Sequence, residues 1–327
     1  MPEEPNFPLL PYSRIVGQDT LRDLLAIDYV MRSSVGGVLV SGDRGTAKST
    51  IVRSFARMMH GRLPVTLPIN VTDDRVVGGW DVNSLMLGVA DWRDGLLVEA
   101  SKSGKNGESG MLYIDEVNLL DDHIVNVILD AVSTGILVVQ RDGKDKVPEH
   151  VDFSLVGTMN PDEGLLRPQL LDRFGFYVGV TAEKEGRADV RARILSTVLR
   201  FDAEREWPHS TWLAEGERLD QERCEEIREA RRRLPQVRLT EQAEALCGRL
   251  AAEFQLEGHR GEIVMAQGAR AWAALEGRFQ TTVRDVQKVA PHAIAHRRKD
   301  ADYADGIGLT HEDEARLAAV IASARPH

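Results

Sequence analysis

The sequence predicts an α/β fold, with a five-stranded parallel sheet covered by helices and then a region made only of helices. Two observations lead to this prediction. Short apolar runs alternate with helical patterns in the first half of the chain, and only helical patterns remain from about residue 183. Apolar strands separated by helices are typical of a parallel sheet buried on both faces. The candidate strands are Gly36–Ser41, Val65–Asn70, Met111–Glu116, Phe153–Met159 and Phe176–Thr181.

The second half of the chain predicts a separate helical domain. Thr240 and Thr281 are candidate N-caps, because acidic residues follow each of them within the first turns. The stretch Trp207–Glu217 could form a loop. The candidate helices are Glu183–Phe201, Leu219–Leu234, Thr240–Glu257, Gly261–Glu276 and Thr281–Arg297. The expected divisions are an α/β nucleotide-binding domain over residues 1–182, a helical connection over 183–215 and a helical lid domain over 216–327.

Composition narrows the class of protein. The chain has 327 residues, 43% of them hydrophobic, and a net charge of −10, which argues against a sequence-independent hold on nucleic acid. Cys224 and Cys247 stand far apart, so neither a disulfide nor a thiolate metal site is expected. His292 and His296 are interpreted as helix surface rather than as metal ligands. The chain shows no signal peptide and no apolar run of about 18 residues, so we expect a cytoplasmic protein without a membrane span.

A glycine-rich turn between a strand and a helix carries the first chemical signal. A P-loop in this context surrounds phosphates with backbone N–H groups, while its lysine, here Lys48, reaches the β- and γ-phosphates and its hydroxyl, here Ser49, binds Mg²⁺. Ala47 stands where the pattern has its second glycine; the position opens the helix, where alanine is conformationally acceptable. The alternative is a fortuitous glycine-rich turn. The eight residues are Gly42, Asp43, Arg44, Gly45, Thr46, Ala47, Lys48 and Ser49.

Polar residues end two further predicted strands. Asp115 can hold the Mg²⁺ shell, and Glu116 can orient and deprotonate the attacking water. Asn160 follows another buried strand at the same edge of the sheet, where an amide can bond the γ-phosphate or the water. The alternatives are that Asp115 and Glu116 merely end a strand and cap the next helix, and that Asn160 is a turn residue before proline.

An arginine lies on the far side of the predicted nucleotide domain. Arg173 follows a short helical segment and cannot easily reach the phosphates bound by its own chain. In a ring of subunits it would reach the γ-phosphate of the neighbour as an arginine finger. The alternative is a surface pair with Asp172, worth at most about 1 kcal/mol.

Seven stretches, spread over about residues 12–300, extend these motifs. Together they resemble the small AAA+ subunit of magnesium chelatase, often called subunit I, and its cobalt-chelatase relatives. The stretches that contain Asp115 and Arg173 are much more specific to this family than the P-loop, which many ATPases share. The stretches are Ile15–Gln18, Gly37–Thr46, Asp73–Gly78, Asp94–Leu97, Tyr113–His123, Gly164–Gly175 and Gly258–Ile263.

The resemblance implies ATP and Mg²⁺ as cofactors and assigns a role to each matching residue. Ile15 and Val16 would line the adenine pocket. Gly42 to Ser49 would hold the phosphates, with Thr50 beside Ser49. Asp115 and Glu116 would be the Walker B pair, Asn160 sensor 1, Arg173 the finger acting on the neighbouring subunit, and Arg260 sensor 2. Arg260 opens a predicted helix of the lid, so its charge could couple the position of the lid to the nucleotide state.

The resemblance also implies an assembly and partners. The chain would form a ring of six and drive the insertion of Mg²⁺ or Co²⁺ into a tetrapyrrole. It would work with a subunit carrying a von Willebrand A-type domain and with a large catalytic subunit. Ile136–Gln140 with Arg141–Lys144 predicts a hairpin, since Asp-Gly is a strong turn signal; the family's hairpin projects toward the ring centre or a partner, and the alternative is a solvated surface hairpin.

Three departures from the family pattern leave a rival open. Ala47 replaces a glycine, Lys102–Ser109 is longer and more polar than expected, and Glu204–Glu217 matches poorly. They leave the ATPase intact and weaken the case for chlorophyll biosynthesis. The rival is a MoxR-like chaperone that remodels a protein together with a von Willebrand A-type subunit. A nucleic-acid motor is disfavoured by the acidic charge and by the lack of a basic and aromatic stripe.

Overall fold

Each of the five predicted apolar runs contains a strand, and together these strands form one sheet. The computed structural model describes residues 8–31, 35–89, 91–104, 108–141, 144–145, 148–180, 188–207, 209–299 and 307–324. The strands in chain order are β1 (Val38–Ser41), β2 (Val65–Leu67), β3 (Gly78–Trp80), β4 (Trp92–Asp94), β5 (Gly110–Ile114), β6 (Ile136–Leu137), β7 (Gln140–Arg141), β8 (Lys144–Asp145), β9 (Glu149–His150), β10 (Phe153–Met159) and β11 (Phe176–Gly179).

The main sheet has the order β11-β1-β10-β5-β2, and all of its neighbours are parallel. The sequence prediction of a five-stranded parallel sheet is confirmed. In the register, Ser41 lies opposite Met159 on one side and opposite Gly179 on the other. Because all strands run the same way, the segments that follow β1, β5 and β10 emerge side by side at one edge, where α/β sheets bind ligands.

Helices cover both faces of this sheet and predominate after it in the described residues. Strand residues alternate between two buried clusters: Val38 and Val40 face one, and Leu39 faces the other. The helices in chain order are α1 (Asp19–Met31), α2 (Lys48–His60), α3 (Asp73–Val77), α4 (Val82–Met86), α5 (Leu96–Lys102), α6 (Asp122–Thr134), α7 (Pro168–Leu171), α8 (Ala188–Glu204), α9 (Thr211–Arg233), α10 (Glu241–Glu253), α11 (Arg260–Leu275), α12 (Val283–Ile294) and α13 (His311–Ala322).

The first buried cluster joins the sheet to the helical half of the chain. It contains side chains of α1 and α2 together with side chains of α9 to α12, among them Leu24, Phe55, Ile227, Met265 and Val286. The second cluster packs α5 and α6 on the opposite face. The predicted boundary at 182 lies outside the described residues, and the division into three domains stays a prediction.

The structure corrects two local predictions in the helical half. The stretch that was left open as a loop contains the start of α9, where Ser210 accepts a hydrogen bond from the N–H of Leu213 at 3.1 Å. Thr240 is an N-cap as predicted, whereas α12 is capped by Thr282 in a capping box with Asp285. The hydroxyl of Thr281 instead accepts from the N–H of Thr240 at 3.0 Å, so it ties two helix starts together.

The histidine pair on α12 and its end is not helix surface. His296 is 1% exposed, and its Nε2 lies 3.0 Å from the carbonyl of Phe174. His292 Nδ1 lies 3.1 Å from the carbonyl of Tyr177. Both rings face the end of the sheet because α12 packs against β11. Burial lowers the pKa of both histidines, so they are neutral at physiological pH.

A hairpin precedes β10 as predicted. Ile136 pairs with His150, and Arg141 pairs with Lys144, both antiparallel. Residues 142 and 143, which form the predicted turn, lie outside the described residues. Among the helices of the described ranges, none is long and apolar enough to cross a bilayer. The same ranges contain no group of three or more His, Cys, Asp or Glu arranged to hold a metal ion.

Candidate nucleotide-binding site

A single cavity of about 310 Å³ opens where β1, β5 and β10 end. It gathers residues from three distant parts of the chain, as the parallel sheet requires. Ten residues that the sequence marks as candidates lie in its wall, together with Thr158 and Met159, which it does not mark. The wall is formed by Arg44, Gly45, Thr46, Ala47, Lys48, Ser49, Thr50, Asp115, Glu116, Thr158, Met159 and Asn160.

The loop after β1 curves around its own lysine. Lys48 Nζ donates to the carbonyl of Gly42 and, at 2.8 Å, to that of Asp43. The hydroxyl of Thr46 also donates to the carbonyl of Asp43, at 2.8 Å. Gly42 is required where the loop leaves the strand, because a Cβ there would lie 2.0 Å from the carbonyl oxygen of Val180. These contacts turn the carbonyls inward to the ammonium group and leave the tip of the loop in the cavity wall.

Ala47 does not have the helical conformation that the sequence predicts. Helix α2 begins at Lys48, and Ala47 precedes it with φ 62° and ψ 14°, in the left-handed region. The loop must reverse its direction here before the helix starts, which explains why the motif has a glycine at this position. For an L-residue this conformation costs roughly 1–2 kcal/mol. The loop keeps its shape as predicted, but it does so with a strained alanine.

A tyrosine connects the P-loop helix to the end of β5. The hydroxyl of Tyr113 lies 2.9 Å from Oγ of Ser49 and 2.9 Å from Oδ1 of Asp115. Thr158 donates to the same carboxylate oxygen at 2.8 Å. Burial raises the pKa of Tyr113 to about 12, so the phenol is a hydrogen-bond donor at physiological pH. The two candidate Mg²⁺ ligands are therefore held together by one side chain.

Sequence reasoning did not single out Tyr113 or Thr158, although a signal was present. Side chains two residues apart on a strand point to the same face. Tyr113 stands two residues before Asp115, and Thr158 stands two residues before Asn160. Polar groups at those positions are therefore aimed at the same edge as the residues that the motifs identify.

Glu116 lies at the mouth of the cavity beside an exposed arginine. Its backbone is left-handed at φ 55°, and its N–H donates to Thr158 Oγ1 at 3.3 Å. Arg44 of the P-loop lies 3.9 Å from its carboxylate and also pairs with Glu163. Asn160 is 6% exposed, and its amide oxygen accepts from the N–H of Asp162 at 3.3 Å. The cavity thus places one lysine, one arginine, an amide and two carboxylates around one space.

The residues of this cavity fit a magnesium nucleotide. No side chain of the described residues caps the amino end of α2, so its first N–H groups remain open to an anion. The hydroxyl of Ser49 and the carboxylate of Asp115 are oxygen ligands of the kind that Mg²⁺ prefers. Lys48 supplies the positive charge, and partial burial lowers its pKa against the attraction of Asp115.

Comparison with known proteins identifies the family. Residues 37–174 match the AAA domain (dynein-related subfamily), and residues 244–318 match the AAA lid domain. The chain is 35% identical over 339 residues to magnesium-chelatase subunit ChlI, chloroplastic, of Oryza sativa subsp. japonica, covering 91% of this chain and 78% of that protein. This chain belongs to the magnesium-chelatase ChlI family. It is an AAA ATPase, as its sequence motifs predict.

Two further comparisons give another relative and a similar fold. An uncharacterized protein of Mycobacterium tuberculosis is 38% identical over 313 residues, covering 93% of this chain and 47% of that protein. A putative ATPase from Cytophaga hutchinsonii superposes with a TM-score of 0.60 at 18% identity, covering 95% of this chain and 90% of the other, and it supports the fold.

Arg173 of this ChlI-family chain lies outside the wall of the cavity as described. Its Nη1 is 2.7 Å from Oδ1 of Asp130 on α6. The surface pair with Asp172 that the sequence left open is not formed, because Asp172 pairs with Arg297 at 3.2 Å instead. The Arg173 side chain is 32% exposed, so it remains accessible at the surface of the subunit.

Arg260, Ile15 and Val16 also lie outside the described wall of this cavity. Arg260 is the first residue of α11, and its Nη1 lies 3.5 Å from the carbonyl of Asp172. Ile15 and Val16 line a different, open cavity of about 520 Å³, on the side of α8. Its other lining residues are Ser13, Arg14, Ala192, Arg193, Ser196, Thr197 and Trp212.

Proposed function

We propose that this ATPase binds Mg·ATP in the cavity at the ends of β1, β5 and β10 and hydrolyses it there. The observation that carries the proposal is the contact of the Tyr113 hydroxyl with both Ser49 and Asp115, because it brings the metal-binding groups of two separate motifs together. Lys48 and the open N–H groups of α2 hold the phosphates. Ser49 and Asp115 would hold Mg²⁺, which when bound would neutralise charge on the phosphate oxygens.

The groups that act on water lie at the mouth of the same cavity. Glu116 is the base that orients and deprotonates the attacking water, and the amide of Asn160 holds the water or the γ-phosphate in line. Arg44 keeps the Glu116 carboxylate close to the P-loop, since the two side chains are 3.9 Å apart. Arg44 is 75% exposed, so the pair is a weak restraint that can open when nucleotide enters.

Arg173 and Arg260 complete the site from outside the cavity in this proposal. Arg173 supplies positive charge to the γ-phosphate of a neighbouring subunit, which requires a head-to-tail ring. We propose a ring of six. Arg260 contacts phosphate from the helical lid, and Ile15 and Val16 contact adenine. The proposed division is an α/β domain over residues 1–182, a connection over 183–215 and a lid over 216–327.

The output of hydrolysis is proposed from the named relatives. The rice relative is a magnesium-chelatase subunit, so we propose that this chain is the motor that drives insertion of Mg²⁺ or Co²⁺ into a tetrapyrrole. Its partners would be a subunit with a von Willebrand A-type domain and a large catalytic subunit. The comparisons do not favour the MoxR-like alternative. Cytoplasmic localisation stays a prediction, because the plant relatives are chloroplastic.

Mixing two inactive variants tests the shared site. Glu116→Gln removes the base of a subunit's own site, and Arg173→Ala removes the group offered to its neighbour. Each variant alone should lose ATPase activity, whereas an equimolar mixture should regain a substantial fraction of it. A mixture of Glu116→Gln with Lys48→Ala measures the background, because both variants offer a finger and neither has an intact cavity. A Glu116→Gln and Arg173→Ala mixture that stays inactive would refute action in trans.

A metal-insertion assay tests the output. The chain is combined with the two candidate partner subunits from the same genome, a porphyrin, Mg²⁺ or Co²⁺, and ATP, and insertion is followed by porphyrin fluorescence. Insertion should require this chain and should be lost with Glu116→Gln. ATP hydrolysis that proceeds with no insertion of either metal would argue against the chelatase output and leave the ATPase site standing.

A further inference from the structure

Arg173 lies in a turn, residues 172–175, and one buried side chain of the helical half bonds this turn. Arg297, just after α12, donates to the carbonyl of Asp172 at 2.8 Å, to that of Gly175 at 2.9 Å, and to that of Phe174. Its Nε also lies 3.2 Å from the carboxylate of Asp172. The guanidinium group of Arg297 thus bonds both Asp172 and Phe174, the residues on either side of Arg173 in the chain.

Two neighbours of Arg297 reach the same turn. His296 Nε2 is 3.0 Å from the carbonyl of Phe174, and Arg260 Nη1 is 3.5 Å from that of Asp172. The ring of Phe174 is fully buried against β10. The turn therefore contacts β10 through the ring of Phe174 and the residue before β1 through the N–H of Gly175, which donates to the carbonyl of Gly37 at 3.1 Å. Its carbonyls contact the ends of two helices, while Arg173 itself bonds Asp130.

A buried guanidinium is well suited to fix this turn. Arg297 is 6% exposed, and its planar fork of donors can satisfy several acceptors only in one orientation. Burial lowers its pKa to about 10 against the attraction of Asp172, so the group is still charged at neutral pH. Moving the turn would leave buried donors without acceptors, which is unfavourable.

We propose that Arg297 is a positioning residue for Arg173, and that it sets the direction in which Arg173 leaves the subunit toward the neighbour's nucleotide. This inference rests on the proposed action of Arg173 in trans. Because Arg297 follows α12 and lies beside the start of α11, any movement of these helices moves the turn as well. The helical half of one subunit thereby controls the active site of the next.

The chain offers a matched control in the adjacent residue. Arg298 is similarly buried, at 9% exposed, but it bonds the carbonyl of Gly308 at 2.7 Å and pairs with Asp313 on α13. Arg298→Met removes a buried guanidinium from the same segment without touching the turn. We expect Arg297→Met to lower ATPase activity at least about ten-fold, as a partial loss of a finger worth 10³–10⁵. Arg298→Met should lose less than about two-fold, even if both variants melt at lower temperature.

Mixtures distinguish a misplaced finger from a damaged nucleotide site. Arg297→Met mixed with Glu116→Gln should regain activity, because the second variant supplies an intact finger to the intact cavity of the first. Arg297→Met mixed with Arg173→Ala should stay inactive, because neither supplies a finger. The affinity of Arg297→Met for a fluorescent ATP analogue should stay within about two-fold of wild type. If Arg297→Met does not fold, Arg297→Lys, which keeps the charge but lacks the fork, goes through the same mixtures.

The results separate this inference from the proposed function. If Arg173→Ala with Glu116→Gln regains activity but Arg297→Met with Glu116→Gln does not, Arg297 is not a positioning residue for the finger. The same conclusion follows if Arg298→Met loses as much activity as Arg297→Met. If Arg173→Ala with Glu116→Gln itself stays inactive, action in trans fails, whatever Arg297 does.

Discussion

The hydroxyl of Tyr113 lies 2.9 Å from Oγ of Ser49, so the central part of the sheet contacts the first turn of α2 through one hydrogen bond. The phenol has one proton and therefore donates at any moment either to Ser49 or to Asp115, which lies equally close. The contact couples the two groups that we propose as Mg²⁺ ligands.

Tyr113→Phe should weaken the response to Mg²⁺ more than it weakens catalysis at saturating Mg²⁺. The ring still fills its buried place, but Ser49 and Asp115 lose a shared donor, and a hydrogen bond to a charged group contributes about 1.5–3 kcal/mol. We expect the Mg²⁺ concentration for half-maximal ATPase activity to rise about three- to ten-fold. Tyr29→Phe is the control, because the hydroxyl of Tyr29 bonds Glu108 instead. An unchanged Mg²⁺ requirement would show that the contact does not organise the metal ligands.

Ala47→Gly should stabilise the protein. The left-handed conformation of Ala47 costs roughly 1–2 kcal/mol, whereas the added freedom of glycine in the unfolded chain costs about 0.4–1 kcal/mol. The expected net gain in the free energy of unfolding is about 0.5–1 kcal/mol, measured in urea without nucleotide. Ala245→Gly, at an exposed position of α10, should lose up to about 1 kcal/mol. A loss at both positions would contradict the strain at Ala47.

Asp130→Asn should make assembly easier. Within one subunit Arg173 is paired with Asp130, whose side chain is 64% exposed. In the proposed ring a neighbour's phosphate would replace that partner. Exposed pairs contribute about 0.2–1 kcal/mol, so the protein concentration for half-maximal ATPase activity should fall by up to about five-fold. Asp122→Asn, which removes the adjacent exposed pair with Arg167, is the control. A loss of activity at saturating protein concentration would instead mean that Asp130 orients the finger.

Asp28→Asn should flatten the dependence of stability on pH. Asp28 is 3% exposed on α1, and burial raises its pKa from 3.8 to about 7, although a hydrogen bond from Ser154 opposes the shift. The folded chain therefore holds a proton that the unfolded chain releases, and the stability from Asp28 is full below pH 3.8 and is lost as the pH rises to about 7.

The difference in unfolding free energy between Asp28→Asn and wild type should therefore grow between about pH 4 and pH 7 and stay level above that. Between these pH values the difference should change by about 1 kcal/mol or more, since a shift of one pKa unit corresponds to about 1.4 kcal/mol. The buried histidines make the opposite contribution to the pH dependence of stability, but they make it in both proteins, so it cancels in this difference. Asp19→Asn, which removes an exposed carboxylate from the same helix, is the control for the substitution itself. A constant difference for Asp28→Asn would contradict the raised pKa.

Local pattern was enough to predict much of the candidate site. Lys48, Ser49, Asp115 and Asn160 each follow or end a buried strand, and a parallel sheet brings the ends of its strands to one edge. Ala47 was expected to be conformationally acceptable where the helix opens, whereas its backbone is left-handed. Backbone dihedrals at such a turn depend on where the loop must go next, which the identity of one residue does not reveal.

The sequence by itself determined the α/β fold and the family, and it identified most residues of the candidate nucleotide cavity. These depend on apolar periodicity and on motifs whose residues lie within a few positions of one another. Only the tertiary structure decided the surroundings of Arg173. Arg173 pairs with Asp130, which is 43 positions away in the sequence. Arg297 donates hydrogen bonds to the carbonyls beside Arg173, from more than 120 positions away. Such contacts arise from the packing of helices on the sheet, and one chain's local pattern contains no signal for them.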